Sequence, residues 1–291
     1  MHLASLLLKF GYSRPRSNLI LVIILLPLVF ITACSSLFLY PQKAHRDNQR
    51  LRQTTYADVY FPTSDGLLLH AWHLKGQTAK QGTILFLHGN AENISTHINN
   101  VLWLTECGYD VFAFDYRGYG KSAGHPTIEG VHIDAQAAIE ATLNLTQRDD
   151  ERIILLGQSL GGAIAVYATA NSAQKNRIKV LIVDSAFSDY QVIAREKLDM
   201  FAITRLFQYP LASPFADKHS PITWIKRVAP VPVLILHGNK DNIVPLHHSQ
   251  DLYNEALPPK DLWQVTDVGH IQTFASKEIR ERLLEYLKSL P

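Results

Sequence analysis

Short apolar runs with little polar interruption recur along this chain, each followed by a longer helix-like segment. That alternation limits the fold more than any other feature. Thr83–Leu87 (TILFL) is the clearest run. A strand covered on both faces has no solvated side, so it reads as continuously apolar rather than alternating. Val111–Phe114, Arg152–Leu156, Val180–Val183 and Val233–Leu236 repeat the signal, and a further strand is expected at Trp263–Val265. Helices are predicted near His97–Cys107 with Gly108 ending the turn, at about Thr127–Leu145, at Leu160–Ala173 and around Phe274–Leu287. Such a succession means α/β architecture: a mostly parallel central sheet with helices on both faces. Ahead of it, Val59–Phe61 and Leu67–His73 read as a hairpin turning at Ser64-Asp65-Gly66.

Between Asp184 and Val231 the alternation lapses. Phe187, Tyr190, Phe201, Phe207, Tyr209, Phe215 and Trp224 crowd this stretch, which lies between the sixth and seventh predicted strands. A long insertion in a compact domain is usually functional. It is expected to form a small cap, about residues 185–230, over the carboxyl ends of the strands, where ligands bind in open α/β sheets. Phe207 and Phe215 are its candidate substrate-binding rings.

The N-terminus has a different chemistry. No charged residue lies between Arg16 and Lys43, and the apolar core Leu19–Ile31 follows Lys9, Arg14 and Arg16. A basic segment followed by an apolar one is the pattern of an export signal. Ile31-Thr32-Ala33-Cys34 resembles a bacterial lipobox, which would end a signal peptide at residue 33 and put a lipid on Cys34. Residues 34–54 would then be a tether and 55–291 the catalytic domain. The alternative is a single spanning anchor, since the uncharged stretch to Tyr40 is long enough to cross a bilayer.

Several function classes are disfavoured. A net charge of +2 with no long basic run gives nothing to hold nucleic acid. The two cysteines supply neither a disulfide framework nor a metal cluster, and His247–His248 are adjacent and so do not share a helix face. They sit at a helix start and read as surface residues. Asp115-Tyr116-Arg117-Gly118-Tyr119-Gly120-Lys121-Ser122 invites a phosphate reading. A nucleotide loop needs glycine five places before Gly120, where Asp115 stands. No metal or cofactor is called for.

The chemistry is carried by Gly157-Gln158-Ser159-Leu160-Gly161. It matches G-x-S-x-G and lies between a predicted strand and a predicted helix, the setting of a nucleophile elbow. The glycines let strand and helix pack closely while the Ser159 hydroxyl stands clear. A hydroxyl needs a histidine to take its proton and a carboxylate to orient that histidine. Asp241 follows the strand Val233–Leu236 in the turn Gly238-Asn239-Lys240-Asp241, and His270 follows Trp263–Val265 across a short loop. Ser159, Asp241 and His270 are therefore the candidate triad, with Asp184 the rival acid. Backbone N–H groups of Leu160 and Asn90 are the candidate oxyanion donors, with Ala91 as the alternative to Asn90, and His88 is expected to brace that loop.

Residues 55–291 resemble the α/β-hydrolase superfamily, most closely its membrane-anchored, Bem46-like and lysophospholipase-like serine hydrolases. The resemblance rests on His88-Gly89-Asn90-Ala91, Asp115–Gly120, Gly157–Gly161, Ser220-Pro221-Ile222, His237-Gly238 with Asp241, and Gly269-His270. It implies hydrolysis of an ester, thioester or, less often, an amide, with no metal or cofactor. Glu92 departs from the pattern, which has a small residue there. The substrate expected is a small ester or a lipid with an acyl chain. The alternatives are a peptidase taking substrates by their N-terminal amine and a non-catalytic binding module.

Overall fold

The computed structural model describes residues 38–146, 151–215 and 218–291. Its strands are β1 (Tyr56–Pro62), β2 (Leu68–Leu74), β3 (Gly82–Leu87), β4 (Tyr109–Phe114), β5 (Ile153–Gln158), β6 (Ile178–Asp184), β7 (Val233–Gly238) and β8 (Lys260–Val265). They form one eight-stranded sheet in the order β1-β2-β4-β3-β5-β6-β7-β8. The opening hairpin is antiparallel, β2 also runs antiparallel to β4, and every later pairing is parallel. The chain therefore has the α/β-hydrolase architecture the sequence suggested.

β3 lies inside the sheet between β4 and β5, and Ile84 to Leu87 are fully buried. Leu85 and Leu87 join the apolar cluster on one face, Ile84 and Phe86 the cluster on the other. Both faces are covered, which is why the run has no polar break.

The helices are α1 (Ile94–His97), α2 (Trp103–Glu106), α3 (Ile128–Asn144), α4 (Leu160–Asn171), α5 (Tyr190–Asp199), α6 (Ala202–Arg205), α7 (Gln208–Ala212), α8 (Pro221–Trp224), α9 (His247–Glu255) and α10 (Lys277–Ser289). Thr127 caps α3, its hydroxyl accepting from Gly130 N–H, and Ser276 caps α10. The helix expected over 97–107 is broken into α1, a 3-10 turn at Ile98–Asn100, and α2. Asparagines cause the break. Asn99 donates to Thr96 O, while the Asn100 amide leaves the local backbone to reach Gln158 Oε1 at 2.8 Å.

A domain boundary at residue 55 is drawn too late. Phe38, Leu39 and Leu51 are buried, and residues 40–48 form a strap over the loop that follows β3. Gln42 N–H donates to Glu92 O, Asn93 donates to the carbonyls of Gln42 and Ala44, Arg46 pairs with Glu92 at 3.0 Å, and His45 bonds Asp115 at 2.7 Å. Cys34 and the rest of residues 1–37 lie outside the described residues. Among those described, no helix is long and apolar enough to cross a membrane.

Candidate active site

Ser159 sits between the end of β5 and α4 with φ +54° and ψ −121°, a conformation that L-residues rarely adopt and that costs about 1–3 kcal/mol. Small neighbours permit it. A methyl group on Gly161 would lie 2.1 Å from Leu87 O, and one on Gly157 would lie 2.3 Å from Gly161 O. Those contacts press the start of α4 against the ends of β3 and β5 and turn the Ser159 side chain outward.

Its hydroxyl oxygen is 2.9 Å from His270 Nε2, and His270 Nδ1 is 2.7 Å from Asp241 Oδ2. Nδ1–H donates to the carboxylate, which leaves Nε2 with a lone pair facing the hydroxyl. Asp241 is held in turn: its Oδ1 accepts from Ile243 N–H at 2.8 Å and Val244 N–H at 2.9 Å. His237 Nε2 shares its N–H between Val244 O at 2.8 Å and Asp241 Oδ2 at 3.3 Å. Burial pushes the Asp241 pKa up, but hydrogen bonds from His237 and His270 outweigh it and hold the carboxyl well below its ordinary range. The carboxylate is charged across the neutral pH range.

Asp184, the rival acid, is fully buried behind the nucleophile and makes no hydrogen bond to His270. Its Oδ2 accepts from Gln158, its Oδ1 from Ser185, and its backbone O from Ser159 N–H. Burial raises its pKa. It braces the elbow, and through Ser185, whose Oγ accepts from Ile271 N–H, it also braces the turn after His270.

The loop after β3 carries Asn90 beside Ser159 and Leu160 on one pocket wall. The Asn90 side-chain oxygen accepts from Ala91 N–H, Tyr40 N–H and the Tyr119 hydroxyl. The Ala91 N–H is thereby occupied, which leaves the backbone N–H of Asn90 as the candidate donor on that wall. Ala91 and Glu92 both have positive φ, +60° and +56°, and the strap contacts at Glu92 hold this strained turn. His88 is buried, with its pKa pushed down to about 3 by burial, and stays neutral. Its Nδ1 bonds Gly89 O and its own carbonyl accepts from the Tyr116 hydroxyl, so it braces the loop. The Asp115–Ser122 segment makes its hydrogen bonds to this loop, to the strap and, through Arg117, to Asp65 and Asp134. Those partners lie outside the insert.

Above Ser159 is a cavity of about 330 Å³ lined by Phe38, Tyr40, Phe187, Ile193, Ala194 and Lys197, with Ile243 and Val244 opposite. A larger hollow of about 770 Å³ contains Ile271 and Gln272 but not the serine, so only the smaller one can present a carbonyl to Ser159. The expected pocket rings are corrected. Phe207 is 56% exposed and outside the cavity lining. Phe215 is buried one layer back, its ring 4.9 Å from that of Phe38. The insert contributes α5 instead: Ile193, Ala194 and Lys197 fall on one helical face. Phe38 and Tyr40 lie ahead of residue 55, and nothing in the local sequence announced them.

His248 is also corrected, since it is buried rather than on the surface. Among the described residues, two groups of side chains bring enough ligand atoms together to hold a metal: His45, His70 and Asp115, and Glu196, His247 and His248. In the second, Ser188 N–H donates to His248 Nδ1, so the ring proton is on Nε2 and points at Glu196 Oε2, 3.0 Å away. That nitrogen has no lone pair to offer, and the group clasps α5 to α9 instead.

With this geometry in view, comparison with known proteins is informative. Residues 78–207 match the Hydrolase_4 family model, described as serine aminopeptidase, S33. The protein YfhR of Escherichia coli K12 is 34% identical over 239 residues, covering 79% of this chain and 80% of that protein. The α/β hydrolase domain-containing protein WAV2 of Arabidopsis thaliana is 34% identical over 212 residues, covering 69% and 67%. Among solved structures, an esterase from Pyrococcus furiosus superposes with a TM-score of 0.71 at 23% identity, over 87% of this chain and 98% of that one.

Proposed function

Because the chain belongs to the α/β-hydrolase superfamily, we propose that it is a serine hydrolase cleaving carboxylic esters or thioesters of acyl-chain or lipid-like substrates. The observation that carries this reading is the relay from Ser159 Oγ through His270 to Asp241, at 2.9 and 2.7 Å, on the floor of an apolar cavity. His270 Nε2 takes the hydroxyl proton as Ser159 Oγ bonds the substrate carbonyl carbon. The oxygen's negative charge is met by the N–H groups of Asn90 and Leu160. Collapse breaks the bond to the alcohol or thiol, which leaves with the proton from His270. Water then repeats the sequence on the acyl-enzyme, releasing the acid and restoring Ser159. The uncharged stretch from Ser17 to Leu37, ahead of the buried Phe38, would tie this catalyst to a membrane, either through lipid on Cys34 or as a spanning anchor.

The matching family model also favours a second reading, an aminopeptidase. Holding a substrate ammonium takes a carboxylate in the pocket, but the charged side chain lining it is Lys197, and Glu196 is engaged by His247 and His248. The ester reading therefore stands ahead. A fluorophosphonate probe should label the wild type and not Ser159→Ala; a wild type that resists labelling refutes the catalytic reading and leaves a binding module. On p-nitrophenyl esters, kcat/KM should rise roughly three- to fourfold per methylene until the cavity is full, from about 0.8 kcal/mol per buried CH₂. Preference for acetate over butyrate and hexanoate, or for amino-acid anilides over every ester, overturns the acyl-chain assignment.

A further inference from the structure

The insert carries an apolar surface that the cavity does not use. Met200, Phe201, Ile203, Leu206, Phe207 and Tyr209 are all more than half exposed, Ile203 at 82% and Leu206 at 80%. Ile203, Leu206 and Phe207 are spaced i, i+3, i+4 across α6 and the turn after it, so they share a face. Isolated exposed apolar residues are ordinary, but a run of large ones on successive turns marks a contact surface.

The position of this face says what meets it. It follows directly from α5, whose Ile193, Ala194 and Lys197 line the cavity above Ser159. The rim continues the apolar character, because Tyr40 and Ile243 line the cavity and are about half exposed. The chain also enters the described domain here: Phe38 is part of the cavity wall, its ring 6.2 Å from Phe187, 5.4 Å from Tyr190 and 4.9 Å from Phe215. Phe38 stands four positions after Cys34, a span of at most about 14 Å. A lipid on Cys34 and a spanning run ending before the buried Phe38 would both place the cavity mouth at the membrane surface. Cations stand beside the face, with the Arg195 guanidinium 5.6 Å over the Tyr209 ring and Lys197 at the rim. Basic groups flanking an apolar face suit anionic headgroups above acyl chains.

We propose that residues 200–209 dock into a phospholipid bilayer, so that the cavity opens against the leaflet and takes its ester substrate from the membrane. This rests on the hydrolase reading for the substrate and on the anchor reading for the short reach. The docking itself is a separate property of the surface.

The test uses the full chain with p-benzoylphenylalanine at position 206, mixed with phosphatidylethanolamine–phosphatidylglycerol vesicles and irradiated. A phospholipid adduct at position 206 is the expected result. An adduct only to a second copy of the chain, or no lipid adduct, overturns the proposal. This readout needs no enzymatic activity, so it survives failure of the hydrolase reading. The kinetic arm compares wild type with the Ile203→Asp/Leu206→Asp double variant, both positions being exposed enough to leave the fold intact. Hydrolysis of dissolved p-nitrophenyl acetate should stay unchanged, while hydrolysis of a long-chain ester carried in vesicles should fall at least about tenfold. Equal loss on both substrates, or no loss on either, also overturns the proposal.

Discussion

Replacing Asp241 by asparagine isolates one proton. The side chain is pinned by Ile243 N–H and Val244 N–H, both donating to Oδ1. The asparagine carbonyl must take that place, because an NH₂ there would face two donors. The amide nitrogen then occupies the Oδ2 position, 2.7 Å from His270 Nδ1. A donor now faces Nδ1, so the imidazole shifts its proton to Nε2 and turns an N–H toward Ser159 Oγ. The base has lost its lone pair without any change in shape. The expected loss in kcat is on the order of 10⁴, about 5.5 kcal/mol of transition-state stabilisation. The assay is p-nitrophenyl butyrate hydrolysis at neutral pH, with near-ultraviolet circular dichroism to establish that the fold is retained. Activity within tenfold of wild type refutes the reasoning, as does a mild Asp241→Asn beside a crippled Asp184→Asn.

Gly161→Ala tests the elbow. The added methyl would meet Leu87 O at 2.1 Å and His88 O at 2.5 Å, pushing α4 away from the loop that carries Asn90. The loss in kcat should reach that of removing one oxyanion donor, roughly 10² or more, and a variant within threefold of wild type contradicts the packing argument. Asp241 also predicts a pH effect on stability. Its pKa in the folded protein lies below the ordinary 3.8, so its contribution is complete above that value and is lost as pH falls toward the folded value. The gap in urea midpoint between wild type and Asp241→Asn should narrow from pH 5 to pH 3, and a constant gap would show that the carboxylate is not specially stabilised.

The candidate triad was more legible than the pocket. Each triad member follows a strand whose apolar run marks it, and the chain order Ser159, Asp241, His270 leaves little freedom once β5, β7 and β8 are recognised. What sequence left open between Asp241 and Asp184 is decided by geometry: Asp241 contacts His270, whereas Asp184 points into the Gln158 amide and the Ser185 hydroxyl. The insert resisted the same treatment. An aromatic ring has the same local signature whether it lines a cavity, as Phe187 does, packs behind one, as Phe215 does, or faces outward, as Phe207 does. Phe38 was invisible for another reason. It continues an apolar run that reads as an anchor, and its place in the pocket wall depends on contacts with rings about 150 to 180 positions later in the chain.

The strap over residues 90–95 makes the segment ahead of β1 part of the candidate site rather than a spacer. A protease cutting after the exposed Arg50 or Arg52 would separate the sheet from whatever holds the chain ahead of residue 38. The same cut leaves Phe38, Tyr40 and the partners of Glu92 and Asn93 held only by non-covalent contacts. A fragment lacking that segment would keep Ser159, His270 and Asp241 on the sheet and lose one wall of the cavity. A shortened chain would therefore keep the whole cavity wall only if it began before Phe38.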